Sequence, residues 1–363
     1  MTAKLKNDKK RIFYFDALRA LAIFSVIVVH IFALNYKLVL GEIVPFPSYK
    51  YIYTQISGIW FRIGVDLFLM LSGALSLGRN WEIKDFLGKR IPRIVLPFLF
   101  WGITLSLFIV VYSYYSNLNF IPSYDVMSIL IFVFNSLRAN VGVFSAYWFF
   151  WMILGTYLIM PIFNKWLLHA DLKEAEYFLV IWLITCLFDF TLSADFPIKL
   201  NYFVSPIGLV VLGYYLRHTE RKLLNNPYFA ILLIAIPCIS MSLISLHYSS
   251  VNSMYLFNRY SLPIAFEVIG IFLLFKNFSK LPFSFNFLQN PRGIFKKSVF
   301  TLAKYSYGIY LNHVVFLFLL YQVPIHGYNL KFGIDLAVTL IFSVLLMVIF
   351  NRIPGINKVI GSK

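Results

Sequence analysis

The sequence predicts an all-α, polytopic membrane helix bundle, and three features of its composition support that prediction. Hydrophobic residues make up 60% of the 363 residues, charged residues make up only 13%, and the mean hydropathy is +0.77. A soluble fold needs a polar exterior and could not bury this much apolar surface. Intrinsic disorder requires low hydrophobicity. A soluble nucleic-acid-binding protein is excluded on the same ground, although the net charge is +17.

Ten apolar stretches are each about as long as a membrane-spanning helix, which takes about 20 residues. Gly and Pro occur within several of them, and packed membrane helices tolerate both. No linker sets apart a soluble domain, so one integral-membrane domain is expected over residues 1–363. The predicted spans are 13–34, 53–75, 94–115, 146–164, 176–194, 201–216, 228–247, 256–275, 305–322 and 333–351.

The basic residues predict how these helices are oriented. With the N-terminus in the cytoplasm, 24 of the 32 Lys and Arg residues fall in cytoplasmic segments and three fall within spans. Short cytoplasmic loops of membrane proteins are rich in Lys and Arg, so this bias predicts a multi-pass protein of the plasma membrane with both termini cytoplasmic. The two long segments between spans, 116–145 outside and 276–304 inside, are expected at the membrane surface or, for the first, as a re-entrant stretch. The outside cations are Lys37, Lys50, Arg138, Lys199 and Lys331.

Ionisable residues inside the first span are functional candidates, because a charge at the bilayer centre costs about 2.5–3.5 kcal/mol on insertion scales. Arg19 and His30 are separated by about three helical turns, so they share one face about 16.5 Å apart along the axis. Asp16 lies on that face beside Arg19 and is too far from His30 to pair with it. The stripe indicates either a polar cavity that holds a reactive imidazole or a structural histidine bonded to another helix.

Further ionisable candidates lie in later spans, and Asp189 in the fifth span is one of them. Arg62 and Asp66 stand four residues apart, so they can form a structural ion pair or belong to a polar site. Arg259 and Glu267 are not aligned on one helical face and are expected to pair with other helices. His313 lies in the ninth span. No metal-binding motif accompanies these residues, and no metal is expected.

A basic run, Lys89-Arg90-Ile-Pro-Arg93, begins a helix at the inner membrane surface. Guanidinium groups three residues apart on a helix suit phosphate groups, although plain positive-inside charge is the other interpretation. The sequence has no Walker loop, no Gly-x-Gly-x-x-Gly motif, no His-Glu-x-x-His motif and no Gly-x-Ser-x-Gly motif. ATP-driven pumping and serine-hydrolase chemistry therefore have no support.

Taken together, these motifs resemble the acyltransferase 3 family of integral-membrane acyltransferases, and most of all its stand-alone surface-polysaccharide O-acetyltransferases. Arg19 and His30 reproduce the family's Arg-x10-His signature, and Arg90 with Arg93 matches its cytoplasmic Arg-x-x-Arg. Each motif alone is weak, but five in order along nearly the whole chain are specific. The other three are the stretch Gly64–Leu75, Tyr147-Trp148 with Pro161, and Ser306–His313.

The resemblance implies an O-acyltransferase that moves an acyl group, usually acetyl, from cytoplasmic acyl-CoA to a hydroxyl of a cell-surface or lipid-linked glycan. It implies that His30 is catalytic, that Arg19 supports His30 or the donor, and that Arg90 and Arg93, with Lys89, hold the CoA phosphates. His30 would act as a general base or would carry the acyl group itself. Acyl-CoA is a substrate here, and no tightly bound cofactor is implied.

The sequence is compatible with alternatives for the partner of His30, for the acceptor and for the acyl group. A carboxylate from another helix, such as Asp66 or Glu267, is the candidate partner of the His30 imidazole. Many family members carry a C-terminal extracytoplasmic hydrolase-like domain, and this sequence ends at Lys363. Either it acylates a sugar directly among the membrane lipids, or a separate extracytoplasmic transferase completes the transfer. The alternatives are succinyl or another acyl group on the same scaffold, and a glycan transporter or flippase.

Overall fold

The computed structural model of the protein describes residues 12–40, 59–118, 121–192, 201–247, 258–281, 292–323, 325 and 328–362. For residues 34–40, 201–205 and 246 it describes the backbone alone. The first residues of the predicted second and eighth spans, 53–58 and 256–257, lie outside the described residues. So do Lys50, Lys199 and part of the inner segment 276–304, while Lys37 is described by its backbone only.

Every regular element in these ranges is helical, and a helix stands at each of the ten predicted positions. An eleventh, α4, lies in the long segment between the third and fourth spans. Seven stretches of the described chain are long and apolar enough to cross a membrane, so the count of ten crossings stays a prediction. The helices are α1 (Phe13–Leu40), α2 (Gly64–Ser76), α3 (Ile83–Tyr115), α4 (Val126–Leu137), α5 (Trp148–His169), α6 (Leu172–Leu187), α7 (Asn201–His218), α8 (Pro227–His247), α9 (Leu262–Asn277), α10 (Gly293–Tyr321) and α11 (Tyr328–Phe350).

Several helix boundaries differ from the predicted spans because hydropathy locates only the apolar part of a helix. α3 and α10 each begin about three turns earlier than predicted, in basic sequence that is helical without being apolar. α2 begins later, because residues 61–63 form a turn. α4 has 12 residues and is capped by Asp125, the residue before it, whose side chain accepts a hydrogen bond from the backbone N–H of Ser128. It is too short to span a bilayer, as its sequence predicts.

One cation, Lys331, lies inside a helix and not in the predicted loop. Lys331 was predicted in an outside segment, but α11 starts five residues early and buries it. Its Nζ lies 3.0 Å from Oδ1 of Asp335 and donates to the carbonyl of Leu320 at 2.8 Å. A buried cation must be paired in this way, because an unpaired one would cost several kcal/mol, on the order of 3–5.

α1 occupies the middle of the bundle, where it packs against α2, α9, α10 and α11. Leu18, Ile23 and Ile27 on α1 are fully buried among these helices. α10 is buried over most of its length, and its buried residues include the polar Asn312 and His313. The contact between α1 and α10 therefore brings polar side chains together inside the bundle.

Small residues bring α2 and α7 unusually close. A Cβ on Gly73 would run into the backbone carbonyl of Val210, and a Cβ on Gly213 would run into that of Met70. Glycine at such contacts lets the backbones of membrane helices approach each other. This contact fixes α2, which carries the Ser72-Gly73 motif, against the rest of the bundle.

Candidate active site

Two imidazoles lie side by side where α1 meets α10. Nδ1 of His30 is 2.8 Å from Nε2 of His313, and the two rings are nearly parallel, at 11°. Nδ1 of His313 lies 2.7 Å from the backbone carbonyl oxygen of Tyr310. A carbonyl oxygen only accepts, so Nδ1 of His313 carries the proton, and Nε2 of a neutral His313 is an acceptor. Nδ1 of His30 therefore donates to His313, and Nε2 of His30 keeps its lone pair.

The partner of the His30 imidazole is thus a histidine, and the candidate partners Asp66 and Glu267 were wrong. Glu267 lies elsewhere, with its Oε1 accepting a hydrogen bond from the thiol of Cys238 at 3.4 Å. Neither carboxylate oxygen of Asp66 has a hydrogen-bond partner among the described residues. The physical reason is that α10, not α2 or α9, presents a polar side chain at the level of His30.

A small cavity of about 90 Å³ opens beside His30 and is also lined by Arg62 and Arg259. The Arg259 guanidinium lies over the Trp148 ring, 4.0 Å from its centre. Its Nη1 is buried and has no hydrogen-bond partner among the described residues. His30 and Arg259 line the same cavity, and an unpaired buried donor there suits an oxygen atom that gains negative charge during a reaction.

The Asp66 carboxylate lies within the electrostatic reach of Arg259 and Arg62. The predicted i,i+4 pair between Arg62 and Asp66 is not a hydrogen-bonded one, because Arg62 lies in the turn before α2 and not on the helix. Two cations, Arg62 and Arg259, therefore line the cavity beside His30, and the Asp66 carboxylate lies close enough to both of them to interact with their charges. No group of three or more His, Cys, Asp or Glu residues within the described ranges is arranged to hold a metal ion.

A larger cavity, of about 560 Å³, lies on the predicted cytoplasmic side. Its volume is within the range of small-molecule sites, roughly 300–1,000 Å³. Four cationic side chains line it, and its remaining wall is largely aromatic and aliphatic. The four are Arg19, Arg90, Arg93 and Lys358.

The arginines of this cavity are held by neighbouring polar groups. Nη1 of Arg19 donates to Oδ1 of Asp16 at 3.2 Å, as their spacing predicts. Nη2 of Arg90 donates to the hydroxyl of Ser76 at 2.8 Å. Arg93 follows Arg90 by one helical turn and is exposed at the cavity. The two arginines predicted to bind phosphate therefore face one cavity, together with Arg19.

Positive charge is dense around this cavity. Burial lowers the pKa of Arg79 in the α2–α3 loop, and the nearby charges of Arg217 and Arg90 lower it further. Lys89 is not part of the lining, because its largely exposed side chain points to Asp85, with Nζ 3.5 Å from Oδ2. Such a concentration of cations attracts an anion to the cavity.

Three aromatic side chains line both cavities and form the wall between them. Each comes from a different helix, and they are Phe68 of α2, Phe149 of α5 and Tyr310 of α10. The centres of the Phe149 and Tyr310 rings are 5.3 Å apart, edge to face. The hydroxyl of Tyr310 donates to the carbonyl of Ala146 at 2.7 Å, which fixes its ring in the wall.

Several residues of the two cavities were not predicted from the sequence. Phe68, Phe149 and Tyr310 lie in or next to the quoted motifs, so they carried a weak signal. Lys358 is one of the 24 cations that predict the orientation of the helices, and no local pattern marks it as part of a cavity. Its position depends on how residues 356–362 fold back on the bundle.

A family model described as an acyltransferase domain matches residues 12–352, which is nearly the whole chain. No curated protein and no solved structure matches the chain. The matched residues include the whole lining of the smaller cavity and most of the lining of the larger one, with His30, Arg19 and the Arg90–Arg93 pair. They end before Lys358 and the other lining residues of the segment 356–362. The chain belongs to the acyltransferase 3 family.

Proposed function

We propose that the protein transfers an acyl group, usually acetyl, from cytoplasmic acyl-CoA to a hydroxyl of a cell-surface or lipid-linked glycan. The observation that carries this proposal is the oriented His30 imidazole with its free Nε2. Only the wall of Phe68, Phe149 and Tyr310 separates the cavity beside His30 from the larger, cationic cavity. A donor rich in phosphate and an acceptor hydroxyl each find a suitable cavity in this arrangement.

The larger cavity fits the donor. Arg90 and Arg93 bind CoA phosphates at its mouth, where guanidinium forks match phosphate oxygens. Lys89 lies outside the lining and adds to the local positive charge. The apolar wall accommodates the uncharged arm of the donor, and Arg19 lies farther inside, held by Asp16. The thioester is then directed toward the aromatic wall and His30.

In the reaction, Nε2 of His30 removes the proton of the acceptor hydroxyl while the hydroxyl oxygen attacks the thioester carbonyl. The carbonyl oxygen becomes an oxyanion, and the unpaired Nη1 of Arg259 stabilises it. The C–S bond then breaks, and the proton on His30 passes to the departing thiolate. The products are the acyl ester and free CoA.

The rival mechanism uses the same lone pair. Nε2 of His30 would attack the thioester first and release CoA, and the acceptor hydroxyl would then take the acyl group from the imidazole. Mass spectrometry of the purified protein after incubation with acyl-CoA and no acceptor distinguishes the two mechanisms. An acyl adduct on the peptide that carries His30 supports the rival mechanism, and free His30 supports the general base.

The proposal is tested with His30→Ala in a strain that lacks the native protein. We expect glycan acylation to fall by about 10²–10⁴-fold, because the base is lost. Binding of CoA to the purified variant should be unchanged, since the donor cavity is intact. Arg90→Ala combined with Arg93→Ala should instead raise the Kd of CoA. Normal acylation by His30→Ala would overturn the mechanism, and a wild-type protein that binds no acyl-CoA would overturn the assigned activity.

A further inference from the structure

Residues 356–362, here named the docked segment, fold back onto the bundle and form part of the donor cavity. Asn357, Lys358, Gly361 and Ser362 line that cavity together with the arginines of α1 and α3. We propose that the docked segment completes the donor site and that Lys358 binds a phosphate group of acyl-CoA. The proposal rests on the proposed function, because it takes acyl-CoA as the ligand of this cavity.

A hydrogen bond inside the bundle anchors the docked segment. Nε1 of Trp101 donates to the backbone carbonyl of Ile360 at 3.0 Å, and both residues are fully buried. The Trp101 ring also stacks on Phe350, with centroids 5.5 Å apart and an angle of 5°. The indole therefore ties the docked segment to the end of α11 and to the middle of α3.

Two glycines let the backbone of the docked segment approach α10. A Cβ on Gly308 would run into the carbonyl oxygen of Ile360. Gly361 has φ +83°, a conformation that favours glycine, and a Cβ there would lie 3.0 Å from the Tyr307 ring. A side chain at position 308 would also meet the side chain of Met347, and one at position 361 would be strained by the positive φ. The backbone of the docked segment therefore packs closely against α10 at the edge of the cavity.

The polar side of the docked segment faces the cavity mouth. Asn357 and Lys358 are exposed there, while Ile360 two residues later is fully buried. The hydroxyl of Ser362 donates to the carbonyl of Asn357 at 3.2 Å and closes the turn on itself. None of the ion pairs between described residues involves Lys358.

These observations place a third cationic side chain in the same cavity as the two arginines of α3. Arg90 is tied to Ser76, so its guanidinium is partly engaged before a ligand arrives. Lys358 shares the cavity mouth and has three N–H donors. A donor that carries several phosphate groups can therefore be held from both α3 and the docked segment, which encloses it on two sides.

The first test measures the Kd of CoA for the purified protein in lipid nanodiscs at one fixed salt concentration. Lys358→Ala should raise the Kd about 3- to 10-fold, the size expected when one charge-assisted hydrogen bond at an exposed site is lost. Lys358→Arg should restore tight binding. Arg352→Ala is the matched control, since Arg352 is an exposed cation nearby that does not line the cavity. Its Kd should equal that of the wild type.

A second variant tests the docking itself. Trp101→Phe keeps an aromatic ring against Phe350 but removes the donor to Ile360. It should raise the Kd of CoA by a similar factor, and combining it with Lys358→Ala should add little, because both changes act through one contact. A fully additive double variant would show that the docked segment does not position Lys358.

Chemical labelling gives a measurement that does not depend on affinity. Lys358→Cys in inverted membrane vesicles should react with a maleimide, and saturating CoA should slow this reaction at least severalfold. Cys186 and Cys238 are buried, and Arg352→Cys serves as the unprotected control. Equal labelling of Lys358→Cys with and without CoA, or a wild-type Kd for Lys358→Ala, would overturn the proposal. If the combined Arg90→Ala and Arg93→Ala variant still raises the Kd of CoA in that case, the proposed function survives. If the wild-type protein binds no CoA, both the proposed function and the role of Lys358 fail.

Discussion

At the scale of single residues, the orientation of one imidazole decides which atom can act as a base. The carbonyl of Tyr310 fixes the tautomer of His313, and His313 in turn fixes that of His30. A neutral imidazole here has the positioning role that a carboxylate has in a catalytic triad. The difference is that His313 brings no negative charge, so it orients His30 but stabilises the protonated form less.

His313→Ala should therefore lower kcat by about 10–100-fold, because His30 loses its partner and its fixed orientation. The Kd of CoA should stay the same, since His313 does not line the donor cavity. His313→Gln should recover part of the activity, because its amide oxygen can accept the proton of Nδ1 of His30. The measurement is kcat against KM for acyl transfer in nanodiscs. If both variants lose activity only through a higher KM for acyl-CoA, His313 has no positioning role.

Helical periodicity predicts the local part of this site and nothing beyond it. The shared face of Arg19 and His30, and the contact between Asp16 and Arg19, follow from residue spacing on one helix. The contact between His30 and His313 joins residues 283 positions apart. It depends on which helices pack together, and one sequence contains no direct signal for that. For the same reason the Lys331–Asp335 pair was not foreseen once the start of α11 was misplaced.

At the scale of helices, α2, α5 and α10 together form the wall between the two cavities. Each contributes one ring, so the opening that the acyl group meets depends on how three helices pack. A short acyl group needs less room than a long one in a wall of this kind. The wall is therefore expected to set the length of the acyl group that reaches His30.

Phe149→Ala should open a gap in the wall and raise kcat/KM for hexanoyl-CoA relative to acetyl-CoA by about tenfold. One methylene group more or less in an apolar pocket changes the ratio of kcat/KM values between two substrates by about 10–200-fold. Phe150→Ala is the matched control: Phe150 is a buried neighbour that stacks on Phe98 and lines neither cavity. It should lower thermal stability without changing the preference for acyl length. An unchanged preference in Phe149→Ala would show that the wall does not select the donor.

Close packing of α2 and α7 makes a separate prediction about stability. Gly73→Val should lower the Tm strongly, because the new side chain meets the backbone carbonyl of Val210, which cannot move aside without separating the helices. Gly155→Val is the control, since a Cβ there meets nothing within 4 Å. The Tm of both variants can be measured in detergent by fluorescence. An equal, small decrease in the two variants would contradict the close α2–α7 contact.

At the scale of the whole molecule, the bundle has one cationic end, and this asymmetry predicts the side from which the donor enters. The larger cavity carries Arg90, Arg93 and Lys358, and the smaller one lies beyond the aromatic wall. The same basic residues that bind the donor in the proposed function also belong to the set that predicts the cytoplasmic side. In the proposed function, the orientation of the protein in the membrane therefore also determines the side from which acyl-CoA reaches its cavity.

Sealed vesicles of opposite orientation test this property. With acceptor glycan present on both sides, acyl-CoA added to inside-out vesicles should start transfer at once, because the charged donor cannot cross the bilayer and its cavity faces the added solution. Right-side-out vesicles should show little transfer until a mild detergent permeabilises them, after which the two preparations should give equal rates. Arg90→Ala combined with Arg93→Ala should slow transfer in both permeabilised preparations at low acyl-CoA, which links the accessible face to this cavity. Transfer that starts only in sealed right-side-out vesicles would mean that the cationic end faces outward, and the predicted position of both termini in the cytoplasm would then be wrong.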